Sequence, residues 1–142
     1  MELNPKINWA HFNLAQVFEG RGSYPEAEQE YLKELEIAPM NFKASFNLGG
    51  AYVKKGKYRE AIRYLEKAVK DAPDFGLGYL FLAQAYIEEG SDLDKAAELA
   101  KTGLSKDLDK KYKPFGHYIL ADVYNRQGRR DLEQQQLILA RQ

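Results

Sequence analysis

Asn47-Leu48-Gly49-Gly50-Ala51-Tyr52, followed by Gly56-Lys57-Tyr58-Arg59-Glu60-Ala61 and then by Ala68 through Pro73, is the stretch whose spacing decides the fold. Apolar residues fall on Leu48 and Tyr52, and later on Ala61, Tyr64, Leu65 and Ala68, the three- and four-residue steps of a helix face. Gly56 separates the two apolar sets and Pro73 closes the second. Residues 42–75 therefore read as two helices joined by a glycine turn.

Outward from this block the same marks recur. Pro5, Pro39 and Pro73 lie 34 residues apart, as do Gly22, Gly56 and Gly90, and Gly128 follows 38 residues later. A fixed period of this length is the mark of a helical repeat. Aligned on these residues, the chain divides into blocks 8–41, 42–75, 76–110 and a divergent 114–142, with 111–113 inserted. Leu14, Leu48, Leu82 and Leu120 form one column, each followed by a small residue, Ala15, Gly49, Ala83 or Ala121. Phe18, Tyr52, Tyr86 and Tyr124 form an aromatic column. In the second helices Ala27, Ala61 and Ala96 align, as do Tyr31, Leu65 and Ala100. A small residue where two helices cross lets their backbones approach, and the ring one turn later fills the wedge beside them.

This pattern resembles the tetratricopeptide repeat over nearly the whole chain. The resemblance implies an all-α fold, a right-handed superhelical α-solenoid of antiparallel helix pairs. The departures are Asp92, the insertion 111–113, and Glu133 where alanine is expected. Leu3-Asn4-Pro5 aligns with the block ends Ile37-Ala38-Pro39 and Asp71-Ala72-Pro73, so residues 1–7 read as the tail of a preceding repeat helix and the chain as part of a longer array.

Composition narrows the functional classes. Hydrophobic residues at 44% and charged residues at 30% of 142 fit a water-soluble folded chain. The 21 basic and 21 acidic residues cancel, so no net field draws nucleic acid or anionic lipid. By block the balance alternates, −4, +4, −3 and +3, which favours neighbours of opposite sign. There is no cysteine, hence no disulfide and no thiolate metal site. Residues 1–6 lack the pattern of a secretion signal and no segment approaches a membrane span, so a cytoplasmic location is expected.

Catalytic chemistry is not expected. His11 and His117 occupy the same column of distant blocks and cannot share a metal ion, and each reads as a half-buried, hydrogen-bonded side chain. Gly49-Gly50 lies inside a helix and Gly76-Leu77-Gly78 follows no strand, so neither is a phosphate loop. The carboxylates, as in Glu26, Glu28 and Glu30, fall on polar faces. The expectation is no enzyme, no cofactor and no metal.

The resemblance implies ligand binding on a concave surface lined by the first helices. Four columns face it: Trp9, Lys43, Leu77 and Phe115; Phe12, Phe46, Leu80 and Tyr118; Asn13, Asn47, Phe81 and Ile119; Gln16, Gly50, Gln84 and Asp122. Members of the family that grip a chaperone's C-terminal carboxylate carry Lys, Asn and Arg in these columns, and only Asn47 matches. The expected ligand is instead an apolar or amphipathic segment of a protein or peptide, held by rings and by amides of Asn13 and Asn47. RNA is not expected, because Lys43 and Arg126 stand against Glu19, Glu88 and Asp122. In the last block Gln134-Gln135-Gln136 supplies a polar face, while Leu132, Leu137 and Leu139 point to a contact with a further domain or a second copy. Two alternatives stay open: a self-assembling, homo-oligomeric array stacked through its helical ends, and a substrate-positioning segment of a larger enzyme.

Overall fold

The computed structural model describes the backbone of residues 5–142 and the side chains of residues 10–142. Among the described residues the fold is all-α, as expected. The helices are α1 (Pro5–Gly20), α2 (Tyr24–Ile37), α3 (Phe42–Lys54), α4 (Tyr58–Asp71), α5 (Gly76–Glu89), α6 (Leu93–Ser105), α7 (Lys113–Arg126) and α8 (Arg130–Ala140). They pack as successive pairs, α1 with α2, α3 with α4, α5 with α6 and α7 with α8. The chain forms two compact units, Met1–Asp71 with α1 to α4 and Ala72–Gln142 with α5 to α8. Of the leading segment 1–7, residues 1–4 lie outside the described residues, and from Pro5 onward the backbone already belongs to α1.

Local chemistry accounts for the boundaries. The turns inside the pairs use Gly22, Gly56, Gly90 and Gly128 at φ of +75°, +76°, +78° and +73°, a left-handed conformation that glycine adopts without steric cost. Pro25 and Pro114 lie in the first turn of α2 and α7, where a missing N–H breaks no helical bond. Asp92, a departure from the repeat, is the N-cap of α6: its Oδ1 accepts from the Lys95 N–H at 2.9 Å. The extra residues ahead of the last pair form a 3-10 turn, Lys110–Tyr112, begun by Asp109 Oδ1 accepting from the Lys111 N–H at 3.1 Å.

In the first unit Tyr31, Leu48, Leu65 and Ala68 are fully buried. Its two pairs are also tied by polar contacts, since Glu28 of α2 accepts from Tyr52 Oη at 2.7 Å and from Lys55 Nζ at 2.6 Å. The second unit has a core of Leu80, Ala83, Ile87, Ala96, Ala100, Ile119, Leu120, Val123 and Tyr124. Arg126 of α7 there reaches Glu88 of α5 at 4.0 Å, so opposite charges of neighbouring blocks meet within each unit. Exposed ion pairs of this kind contribute only about 0–1 kcal/mol each, and packing is the main term.

Among the described residues two glycines carry the closest approach of backbone to backbone. A Cβ on Gly103 would lie 2.8 Å from the Gly76 carbonyl, and one on Gly76 would lie 2.7 Å from the Gly103 carbonyl. A backbone oxygen cannot rotate away, so the start of α5 and the end of α6 require glycine on both sides. Gly103→Ala is expected to lower the urea-unfolding free energy by about 1–3 kcal/mol. Gly50→Ala, with nothing within 4 Å of its Cβ, is expected to be neutral or to raise it by about 0.5–1 kcal/mol.

Candidate functional site

The groove columns do not behave alike in the first unit. Asn13, Gln16 and Lys43 are exposed, and Phe46 is half-buried. Phe12, expected in the groove, is only 6% exposed and sets its ring edge-on against Tyr31 with centroids 5.9 Å apart. It is a core residue, because the Tyr31 ring of α2 comes up between the helices and takes it as partner. Asn47 is also partly committed: its Nδ2 donates to Tyr31 Oη at 3.2 Å, which leaves its carbonyl oxygen outside that bond. Burial raises the Tyr31 phenol well above its ordinary value, so it remains a neutral hydroxyl. The side chain of Trp9 lies outside the described residues.

In the second unit α5 and α7 bring Phe81 and Phe115 together at 5.4 Å, with their planes tilted by 55°. Leu77 and Phe115 pack against the core while keeping part of their surface, and Gln84 is half-buried. Tyr118, one turn on from Phe115, is 48% exposed. Leu80 and Ile119 share these columns but are buried in the core. Asp122 is half-buried and accepts from Arg126 Nε at 3.1 Å, so its charge is matched on its own helix.

The histidines fasten their hairpins. His11 Nδ1 donates to Glu30 Oε2 at 2.6 Å, and His117 Nδ1 donates to Gln136 Oε1 at 2.8 Å, the same link between first and second helix in the two outer pairs. Glu30 takes a further bond from Lys33 at 3.1 Å. The His11 bond, aided by Lys33 and opposed by burial, holds the Glu30 carboxyl below its ordinary range. At Glu28 burial pushes the carboxyl up, but the bonds from Lys55 and Tyr52 outweigh it and the net displacement is again downward. Among the described residues no cluster of histidine and carboxylate side chains could hold a metal ion. No helix among them is long and apolar enough to cross a membrane.

Two of the following three features were not read from the sequence, while the other, the apolar surface of α8, was expected there. Leu14 is 42% exposed and Val17 46%, whereas Leu48, Leu82 and Leu120 in the Leu14 column are buried. No described element covers that face of α1. On α8, Leu132 packs against the core and Leu137 is half-buried, while Ile138 at 57% and Leu139 at 42% carry the exposed apolar surface. The third feature is Glu34, a carboxylate only 1% exposed, whose Oε1 accepts from the Phe12 N–H at 3.3 Å and whose Oε2 has no hydrogen-bond partner. Its signal was present in the sequence, since the equivalent positions hold Ala68 and Gly103.

Comparison with known proteins places this geometry. The model of the tetratricopeptide repeat matches residues 2–42 and 46–107. MamA 41-end from Desulfovibrio magneticus RS-1 is 22% identical, superposes with a TM-score of 0.83, and covers 94% of this chain and 73% of its own. The TPR2B domain of yeast Sti1, in a complex with pHsp70, is 19% identical with a TM-score of 0.77, covering 84% of this chain and 97% of its own. The Sgt2 TPR domain from Aspergillus fumigatus is 20% identical with a TM-score of 0.76, covering 90% and 83%. At these identities the likeness is one of fold. No curated protein matches the sequence significantly.

The lowered carboxyls make stability depend on pH in a defined sense. A carboxyl whose folded value is depressed stabilises the fold above its ordinary value, and that contribution is lost as pH falls through the folded value. A Glu28→Gln, Glu30→Gln variant is therefore expected to be less stable than the parent at pH 7, by up to about 1 kcal/mol per carboxylate. The gap should close on acidification below the ordinary value of 4.5. Thermal unfolding at stepped pH checks this, and a gap independent of pH would show that the two charges contribute nothing.

Proposed function

This chain belongs to the tetratricopeptide repeat family, and from that premise we propose that it is a protein-interaction scaffold, without catalysis of its own, that holds an apolar or amphipathic polypeptide segment. The observation that carries the reading is the ring cluster of the second unit: Phe81 and Phe115 in contact, with Tyr118 beside them 48% exposed. Aromatic side chains left open to water on a rigid helical face are the usual anchors of a protein interface. In the first unit Asn13 is exposed and Phe46 and Asn47 are half-buried, and the asparagine amides can pair with the backbone of an extended peptide. The Sti1 domain in complex with pHsp70 adds that this fold can hold a polypeptide ligand. The rings here favour an apolar ligand over a terminal carboxylate.

The exposed Ile138 and Leu139 of α8, together with Leu14 and Val17 of α1, favour a second reading, association between copies through these faces. Light scattering separates the two, because a chain that stays monomeric at high concentration excludes the second.

Peptides selected by display on the parent chain are expected to be rich in apolar residues. Tyr118→Ala should weaken those held by the second unit, and Phe46→Ala those held by the first, about tenfold or more, the cost of truncating an anchor by at least about 1.4 kcal/mol, with little change in melting temperature for Tyr118→Ala. Undiminished binding in the double variant would overturn the groove. Phe12 is unsuitable for this test because it is buried.

A further inference from the structure

Ala44, Leu48 and Ala51 of α3 and Gly116, Leu120 and Val123 of α7 occupy the same three places of the repeat, and all six are buried. The second helix of the preceding hairpin covers them, since α2 packs on α3 and α6 on α7. Leu104 of α6, for instance, lies where a Cβ on Gly116 would come within 2.5 Å. On α1 the same places hold Ala10, Leu14 and Val17, and each is exposed. Steps of four and three residues put them on one face of the helix. Arg21, four residues further on, extends that stripe and is exposed as well.

What α2 places on α3 shows which chemistry completes such a stripe. Glu28 accepts from Lys55 Nζ at 2.6 Å, and Tyr31 Oη accepts from Asn47 Nδ2 at 3.2 Å. Leu35 stands in the column of Leu104. The counterparts of Lys55 and Asn47 on α1 are Arg21 and Asn13, both exposed. In the second unit the place of Arg21 belongs to Gln127, whose Nε2 donates to Asp94 Oδ1 of α6 at 2.9 Å. In both units, then, the residue ahead of a turn glycine donates to a carboxylate of the covering helix. The last helix of the chain offers a poorer match to α1. It keeps an acid, Asp131, at the place of Asp94, but it presents Gln134 and Arg141 where α2 presents Glu28 and Leu35.

We propose that the Ala10, Leu14, Val17 and Arg21 stripe of α1 docks an acidic amphipathic helix of another polypeptide, its apolar residues against the first three and a carboxylate on Arg21. The apolar contact holds the helix, and the guanidinium selects an acidic one over a neutral or basic one. That the helix comes from a polypeptide partner rests on the scaffold reading above. The stripe itself makes no use of the rings of the second unit.

The probe is a side-chain-stapled helical peptide copying residues 23–38, the α2 segment, titrated into the isotope-labelled chain. It is expected to shift the amide signals of Leu14, Val17 and Arg21 saturably. Leu14→Asp should weaken it about tenfold or more, with little change in melting temperature because Leu14 is 42% exposed. Arg21→Glu should weaken it about threefold or more, and a peptide carrying Glu28→Arg should bind that variant more tightly than it binds the parent chain. A peptide copying residues 129–142, the α8 segment, should bind the parent about tenfold more weakly than the α2 copy. The absence of a saturable shift, binding untouched by Leu14→Asp, or no recovery on charge reversal would overturn the proposal. Shifts centred on α3 would also overturn it, because the peptide would then be displacing the chain's own α2. Tighter binding of the α8 copy would overturn it by giving the face to a second copy. Tyr118→Ala should leave the affinity for the α2 copy unchanged while it weakens the displayed peptides, so the failure of either reading is seen apart from the other.

Discussion

Each hairpin depends on how closely its two helices cross. Residues with no side chain or a methyl occupy the crossings, and the cost of enlarging them is geometric. A Cβ at Gly49 would come within 2.5 Å of Leu65 of the same hairpin, and between successive hairpins one at Gly116 would come within 2.5 Å of Leu104. Close approach turns a row of alanines and glycines into a core, because the larger side chains flanking each crossing then reach across and exclude water. The aromatic column follows from it: Tyr52 and Tyr124 are buried because there is room for a ring only beside a small residue.

The polar groups near these crossings are mostly spoken for. His11 is held by Glu30 and His117 by Gln136, Asn47 by Tyr31, and Glu28 by Tyr52 and Lys55. Satisfying them internally ties the helices of each unit together, while Asn47 keeps its carbonyl oxygen outside the bond to Tyr31. What keeps some exposure is ring surface, Phe46 in the first unit and Phe81, Phe115 and Tyr118 in the second. The charge pairs serve cohesion within each unit.

Much of the architecture was legible in the sequence because its causes are local and periodic. The positive φ of Gly22, Gly56, Gly90 and Gly128 is a property of one residue, and the end of a helix before Pro39 or Pro73 needs no distant partner. Asp92 looked like a defect in the repeat and is a helix cap, since capping acts over three residues while the column alignment looks only for apolar matches. The groove was less legible. Phe12, Phe46 and Tyr118 occupy one column, yet the first is buried, the second half-buried and the third exposed. The difference lies in what the second helix of each pair presents, and Tyr31 covers Phe12.

By itself, then, the sequence determined the helix pairs, their turns and the repeat family, because the period of 34 and the small, aromatic and proline columns act through the backbone and through nearest neighbours. Only the tertiary structure decided which column members are core and which are surface, that α1 exposes Leu14 where its counterparts are buried, and that Glu34 ends up without a partner for one oxygen. The physical reason is that burial belongs to the helices on both sides of a residue. A repeat carries that information equally for every copy, and the copies differ in what lies against them.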